Sequence, residues 1–256
     1  MINERQEKIM RLISAGKRVK INDLVEKLGV SIATVRKDLE ILEKGSMLKR
    51  VYGGAVSVAP KGIEAEFLSR ELQNREEKIM IAKQIAEMVE DGDTIALDNG
   101  TSTQMIAKQL LQKHNLTIIT NSIMAAITLI NGSNFNVYMV GGQLRGSEMA
   151  TSGLMSVDII KQFSVDKAIV GCSGISRNGW ITDYNLEESQ VKKAMIDIAK
   201  ITIVAADSSK IGIEAFAKVS SLKNIDTVVS DWKMSEDDVK WLEEYDLHVI
   251  RADDEE

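Results

Sequence analysis

Residues Leu28-Gly29-Val30-Ser31-Ile32-Ala33-Thr34-Val35-Arg36-Lys37-Asp38-Leu39 decide how the first fifty-odd positions fold. Gly29 is a helix stop, and Ser31 can cap the helix that starts after it. From there Val35, Leu39 and Leu42 recur at helical spacing and turn inward, leaving Ala33, Arg36, Lys37 and Glu40 outside. Upstream, Glu4 to Ala15 sets Ile9, Leu12 and Ile13 on one helical face. Asn22 reads as the N-cap of a short helix carrying Leu24, Val25 and Leu28. Downstream, Gly45 ends the third helix. Leu48-Lys49-Arg50-Val51-Tyr52 then alternates into Gly53-Gly54 and Ala55-Val56, which predicts a hairpin. Three short helices and a hairpin make a winged helix-turn-helix.

Charge divides the chain in the same place. Residues 1–56 hold twelve Lys/Arg and seven Asp/Glu, a net +5, while the remaining 200 hold 20 and 31, a net −11. A basic head on an acidic body suggests that the head meets a polyanion. The third helix fits a major groove, with Ala33, Arg36 and Lys37 toward base edges and phosphates and Ser31 and Thr34 as short hydroxyls for phosphate. Lys49, Arg50 and Tyr52 on the hairpin can reach the flanking backbone. Singly these residues have plainer readings, a solvated face for Arg36 and Lys37 and a helix start for Thr34. Together with the two-helix turn they favour DNA.

At 256 residues and about 150 per domain, two domains are expected. The only proline, Pro60, follows Gly53-Gly54 and marks a linker near 57–63, which gives a head over 1–57 and a body over 64–256. One cysteine, Cys172, excludes an internal disulfide framework, and two histidines, His114 and His248, leave little for a zinc site. No window reaches 18 consecutive apolar residues, and Met1-Ile2-Asn3-Glu4-Arg5 lacks the apolar core of a signal peptide. The expectation is a cytoplasmic protein without a membrane partner.

The body opens with a helix expected over Glu64–Val89, after which strands and helices alternate. Strands are predicted at Thr94–Leu97, Leu116–Thr120, Val137–Val140, Ala168–Val170, Ile201–Ala206, Thr227–Val229 and His248–Ile250. Helices fall between them, including Leu186–Lys200 and one capped by Ser235. This pattern calls for an α/β body with a mostly parallel sheet and helices on both faces.

In such sheets ligands bind outside the carboxyl ends of the strands. Asp98-Asn99-Gly100-Thr101-Ser102-Thr103 joins a strand to a helix, and its hydroxyls and helix-start amides suit an anion such as phosphate. The Gly-Lys-Ser/Thr pattern of a nucleotide triphosphatase is absent. Read alone, the loop is equally a strand-to-helix turn capped by Thr101. Further strand ends carry Asn121 and Ser122, Gly142, Gly174 and Asp207-Ser208-Ser209-Lys210, and together they would line one crevice. Lys210 and Arg145 offer positive charge there, although Arg145 reads equally as a surface residue and Asp207 as a cap. Trp180 can cover the crevice, while Trp232 and Trp241 read as packing. Met80, Ile81, Ile85, Met88 and Val89 read as core or subunit contact.

Arg5, Ile9, Ile13, Ser31 and Thr34-Val35-Arg36-Lys37-Asp38-Leu39 resemble the helix-turn-helix signature of DeoR-type bacterial transcription regulators, and the Lys49–Ala55 wing is similar to theirs. The body resembles the same family's sensor half through Asp91-Gly92-Asp93-Thr94, Asp98–Thr103, Thr120-Asn121-Ser122, Gly141-Gly142, Val165-Asp166-Lys167-Ala168, Val191–Met195 and Ala206–Lys210. The resemblance implies an operator-binding regulator, usually a repressor, whose sensor domain looks like ribose-5-phosphate isomerase and takes a phosphorylated sugar. It also implies that Asp98–Thr103 holds the phosphate near Lys210, with Asp183 a looser candidate for a hydroxyl and Lys192 standing near the position of the isomerase's catalytic glutamate. Asp38 is an acid in a DNA-facing signature and reads as an ion-pair or orienting residue rather than a DNA contact.

An isomerase needs a carboxylate base. The isomerase's acidic pair falls at Cys172-Ser173-Gly174, which has no acid, and Glu187 and Glu188 lie on an amphipathic helix. No catalytic residue, cofactor or metal is expected. The expected partners are operator DNA, a phosphorylated sugar effector and further copies of the chain, because one winged head is marginal for a specific site. The alternatives are an isomerase-type enzyme with an appended DNA-binding head, separable by turnover, and a protein-binding module, which would show no salt-dependent DNA affinity.

Overall fold

The computed structural model describes residues 3–13, 19–44, 48–57 and 67–253. By contacts the chain divides into two compact units, Met1–Arg75 and Glu76–Glu256. The expected linker around Pro60, the end of the first helix at Ala15 and the stop at Gly45 lie outside the described residues.

In the first unit α1 (Glu4–Ile13), α2 (Ile21–Leu28) and α3 (Ile32–Lys44) enclose a small core of Ile9, Ile13, Leu24, Val35, Leu39 and Leu42. Gly29 ends α2 in the left-handed conformation, φ 64°, which glycine adopts without steric cost. The hairpin is β2 (Leu48–Val51) against β3 (Gly54–Ser57). A two-residue β1 (Val19–Lys20) adds to β3 and runs straight into α2. The N-cap of α2 is therefore Lys20 rather than Asn22, and strand pairing sets the helix start. A Cβ on Gly54 would stand 2.1 Å from the Val19 carbonyl oxygen, so this pairing requires glycine.

The helix expected over Glu64–Val89 is two. Within the described residues α4 (Phe67–Leu72) and α5 (Arg75–Glu87) are separated at Asn74, whose φ of 50° breaks the helical path. Leu72 packs on the head's core, whereas Ile81, Ala82 and Ile85 pack in the second unit.

The second unit is built on seven parallel strands in the order β15-β14-β12-β9-β4-β5-β6. In chain order these are β4 (Thr94–Leu97), β5 (Thr117–Thr120), β6 (Asn136–Met139), β9 (Val165–Gly171), β12 (Ala199–Ala205), β14 (Thr227–Asp231) and β15 (His248–Ala252). One apolar core holds residues of α5, α6 (Thr101–Leu110) and α7 (Ile123–Leu129). The other holds α8 (Leu154–Ile160), α9 (Leu186–Asp197) and α10 (Glu236–Glu243). Three features were not anticipated: the hairpin β7 (Gln143–Arg145) with β8 (Ala150–Ser152), helix α8, and an antiparallel sheet of β10 (Gly174–Ser176), β11 (Trp180–Asp183) and β13 (Ala217–Ser221).

From β4 the chain moves outward to β5 and β6, and from β9 it moves the other way to β12 and β14. The adjacent strands β4 and β9 thus flank the point where the winding reverses, and the crevice outside their carboxyl ends is where an α/β sheet takes ligands.

Candidate nucleic-acid and anion-binding sites

Helix α3 presents a cationic face. Arg36 and Lys37 are exposed, and neither is hydrogen-bonded or ion-paired among the described residues. Ala33 is exposed beside them, leaving room for close approach. The Ser31 hydroxyl accepts from the Thr34 amide at 3.2 Å and shares a 2.8 Å bond with the Thr34 hydroxyl, so this pair caps the helix while its outer side stays open. Asp38 points the other way. It is buried, accepts from Arg5 Nε at 2.5 Å and from Gln6 Nε2 at 3.0 Å, and so ties α1 to the inner side of α3. That is the ion-pair role its sequence position suggests.

On the wing Lys49 is exposed and makes no hydrogen bond or ion pair among the described residues, and Tyr52 at the turn is almost wholly exposed. Arg50 is set differently. Its backbone amide and Nε both donate to Glu43, at 2.8 and 2.5 Å, which ties the wing to the end of α3. Those bonds hold the Glu43 carboxyl below the usual carboxylate range.

At the switch point in the second unit, Asp98 follows β4 and accepts from the Gly171 amide at the end of β9, 3.2 Å away. Lys192 of α9 is buried between the two strand ends, 3.0 Å from Asp98 Oδ2 and 2.7 Å from Asp183 Oδ2, and donates to the Gly171 carbonyl at 2.8 Å. Its three donors are all engaged inside the protein, so it braces the site and does not offer a free cation to a ligand. Asp183 also accepts from the Ser173 hydroxyl and the Tyr184 amide.

Burial pushes the Asp98 carboxyl up by more than Lys192 draws it down. For Asp183 burial acts the same way, but Lys192 and Ser173 outweigh it and hold the group below the ordinary range. Burial also works against the charge on Lys192, and the two carboxylates overcome it and raise that group. Cys172 lies within the fields of Lys192, Lys210, Asp183 and Asp207, and burial pushes its thiol up to about 12. A thiol so held stays protonated and unreactive at neutral pH.

The loop beyond Asp98 turns through Gly100, φ 144°, into α6. Gly100, not Thr101, is the N-cap, and no side chain caps the helix. The first amides of α6, from Thr101 to Thr103, therefore point out of the helix start. The Thr101 and Ser102 hydroxyls make no hydrogen bond among the described residues. Thr103 donates instead to the Gly100 carbonyl at 3.0 Å and shapes the loop. Two buried acceptors nearby lack partners among the described residues: Asp98 Oδ1 and Asn121 Oδ1. The Asn121 amide nitrogen reaches Asn99 Oδ1 at 3.4 Å and the Thr151 carbonyl at 2.9 Å, joining the ends of β4 and β5 to the β7–β8 hairpin.

Other expected site residues have framework positions. Ser122 caps α7 by accepting from the Ala125 amide. A Cβ on Gly142 would meet Ser156 Oγ at 2.1 Å, and one on Gly174 would meet the Ile213 carbonyl oxygen at 2.4 Å. Arg145 stands 3.2 Å from Glu188, so the glutamate weighed as an isomerase base faces a guanidinium. Asp207 caps a 3-10 turn, Ser208–Lys210, and the Lys210 ammonium, whose charge acts on Cys172, makes no hydrogen bond or ion pair among the described residues. Thr151 was not anticipated. It follows no apolar strand, and its place shows only in its contacts, the Thr151 carbonyl accepting from Asn121 and its hydroxyl donating to the Val140 carbonyl at 2.6 Å.

Residues 5–61 match the DeoR-like helix-turn-helix domain, and residues 73–232 match the DeoR C-terminal sensor domain. The HTH-type transcriptional regulator YulB of Bacillus subtilis is 35% identical over 249 residues, covering 97% of this chain and 96% of that one. The glycerol-3-phosphate regulon repressor of Escherichia coli is 32% identical over 228 residues, covering 89% of this chain and 90% of that one. Among solved structures, ribose 5-phosphate isomerase A of Methanocaldococcus jannaschii aligns over 54% of this chain and 55% of its own, at 17% identity and a TM-score of 0.40.

Proposed function

This chain belongs to the DeoR family of transcriptional regulators, and from that membership we propose that it is an operator-binding repressor released by a phosphorylated sugar. In this reading the head grips DNA through Ala33, Arg36 and Lys37 of α3 and Lys49 and Tyr52 of the wing, with Ser31 and Thr34 at phosphate. Arg50 fixes the wing's angle through Glu43. Two heads on two half-sites need a homo-oligomer.

One observation carries the ligand class: two buried acceptors without partners among the described residues, Asp98 Oδ1 and Asn121 Oδ1, adjoin an uncapped helix start. A buried acceptor left unbonded costs about 1–3 kcal/mol, and a ligand hydroxyl recovers it. The outward amides of Thr101 to Thr103, with the Thr101 and Ser102 hydroxyls, suit a phosphate dianion. Acceptors for hydroxyls beside donors for an anion describe a sugar phosphate better than either group alone. The relation to E. coli's glycerol-3-phosphate regulon repressor favours the same class. Lys210 supplies the remaining positive charge, while Asn99, Gly142, Gly174, Asp183, Arg145 and Lys192 hold the walls.

The test is thermal unfolding of the whole chain with a panel of phosphorylated sugars, each beside its unphosphorylated parent, followed by DNA release with any hit. A ligand at 100 times its Kd adds about 2.7 kcal/mol, which shifts the Tm of a domain this size by about 5–10 °C. Gly100→Val, which strains the loop at its positive φ, should abolish the shift and leave DNA binding intact. Equal shifts with phosphorylated and unphosphorylated sugars, or ligand binding without effect on DNA, would reject the reading.

A further inference from the structure

Between Asn115 and Val157 the chain carries only two charged residues, Arg145 and Glu148, against 27% charged overall. Glu148 is buried, and Arg145 faces Glu188. The stretch therefore contributes almost no solvated charge. It forms one flank of the parallel sheet, ending in the edge strand β6. Helix α7 packs beside β6, and the first turn of α8 is tied to the chain just beyond it by the Ser156 hydroxyl donating to the Gly141 carbonyl at 2.8 Å. Tyr138 of β6 also packs against Phe163, just after α8, with the tilted rings 5.8 Å apart.

Along this flank Ile127, Ile130, Tyr138, Met139, Leu154 and Met155 are 42–76% exposed. Together they present on the order of 800 Å² of accessible surface, the share each partner gives to an interface of standard size. The opposite edge differs. Strand β15 carries His248 and Arg251, and Arg251 pairs with Glu236, the kind of charge that blunts an edge against association.

We propose that the β6 flank is the surface through which two copies of this chain pair, edge to edge about a two-fold axis. The occupant follows from charge. Residues 57–256 carry a net −11, so two bodies repel wherever their acidic surfaces meet. They approach with least repulsion along the one long stretch so poor in charge, and charge depletion at the core is the compositional mark of an interface. A cationic partner would find its attraction elsewhere on the acidic surface. A two-fold contact brings the same patch to both sides, so an apolar edge meets an apolar edge. This assigns a surface to the homo-oligomer of the functional reading and rests on that reading for its purpose.

The experiment is sedimentation velocity on the full chain at micromolar concentration, with Ile130→Glu and Leu154→Glu combined. Both side chains are exposed, so the thermal unfolding of an unpaired copy is unaffected, and each places a carboxylate against its like across the axis. Wild type should sediment as a dimer or higher oligomer, and the variant should associate about 100-fold more weakly. Phe216→Glu, equally exposed but off the flank, should leave assembly unchanged. A monomeric wild type, an unaffected double variant, or dissociation by Phe216→Glu overturns the proposal. The sugar-phosphate shift serves as the separate readout: if it persists while assembly ignores the flank, the interface is wrong and the effector site stands.

Discussion

Replacing Lys192 by Met keeps the shape of the side chain and removes its charge. Two carboxylates, Asp98 and Asp183, then face one another in a buried site with no cation between them, having stood 3.0 and 2.7 Å from the ammonium. Breaking a buried ion pair from one side costs about 3–5 kcal/mol, because the remaining charge keeps its desolvation penalty. In a unit of this size each kcal/mol moves the Tm by about 2–4 °C, so a fall of about 10 °C is expected. The pH dependence gives a signed test. Without Lys192 both carboxyls are pushed above their unfolded values. The folded state then binds more protons than the unfolded state, and stability falls as pH rises through that window. Lowering pH from 7.5 to 5.5 should stabilise Lys192→Met. In wild type the raised Lys192 contributes stability that is complete below its unfolded value of 10.5 and is lost only as pH rises through its folded value, so it gives no slope across the same range. Adding Asp183→Asn to the variant should recover most of the loss. Thermal melts of the full chain at the two pH values decide it. A Tm within about 2 °C of wild type, or a variant that is equally stable at both pH values, would refute the buried-pair reasoning.

Arg36→Ala with Lys37→Ala should remove operator affinity and lower the salt slope of residual binding by about 2, with sugar-phosphate binding unchanged; gel shifts at several salt concentrations measure it. Asp38→Ala severs Arg5 and Gln6 from α3 and should destabilise the head by about 2–3 kcal/mol while removing no DNA contact. Its operator affinity should therefore recover on cooling, and a permanent loss at low temperature would assign Asp38 a direct role.

The head was legible because its signals are local. Gly29, the Ser31 cap and the Val35–Leu39–Leu42 spacing each act within a turn or two of helix. Strand β1 escaped because two residues carry no alternation, and only its pairing with Gly54 and Ala55 defines it. The break at Asn74 likewise left no mark among charged helix formers. In the body the apolar strands announced themselves, and so did the loops after them. What those loops do with their side chains was less legible. Lys192, which the family resemblance sets near the isomerase's catalytic glutamate, is committed to Asp98, far away in sequence. Ser122 and Thr103 have hydroxyls that suit phosphate equally well, and backbone geometry turned both to local bonds.

The order of the sheet has a consequence for synthesis. Strand β4 is paired on both sides, by β5 and by the central strand β9, yet β9 lies 72 positions later, at the separation of Thr94 from Asp166. A nascent chain emerging from the ribosome can assemble β4, β5 and β6 but must hold β4's far side open until residue 171 has left the tunnel. For that interval an unpaired apolar strand is available to any neighbour, so folding is paced by translation of the segment between β6 and β9.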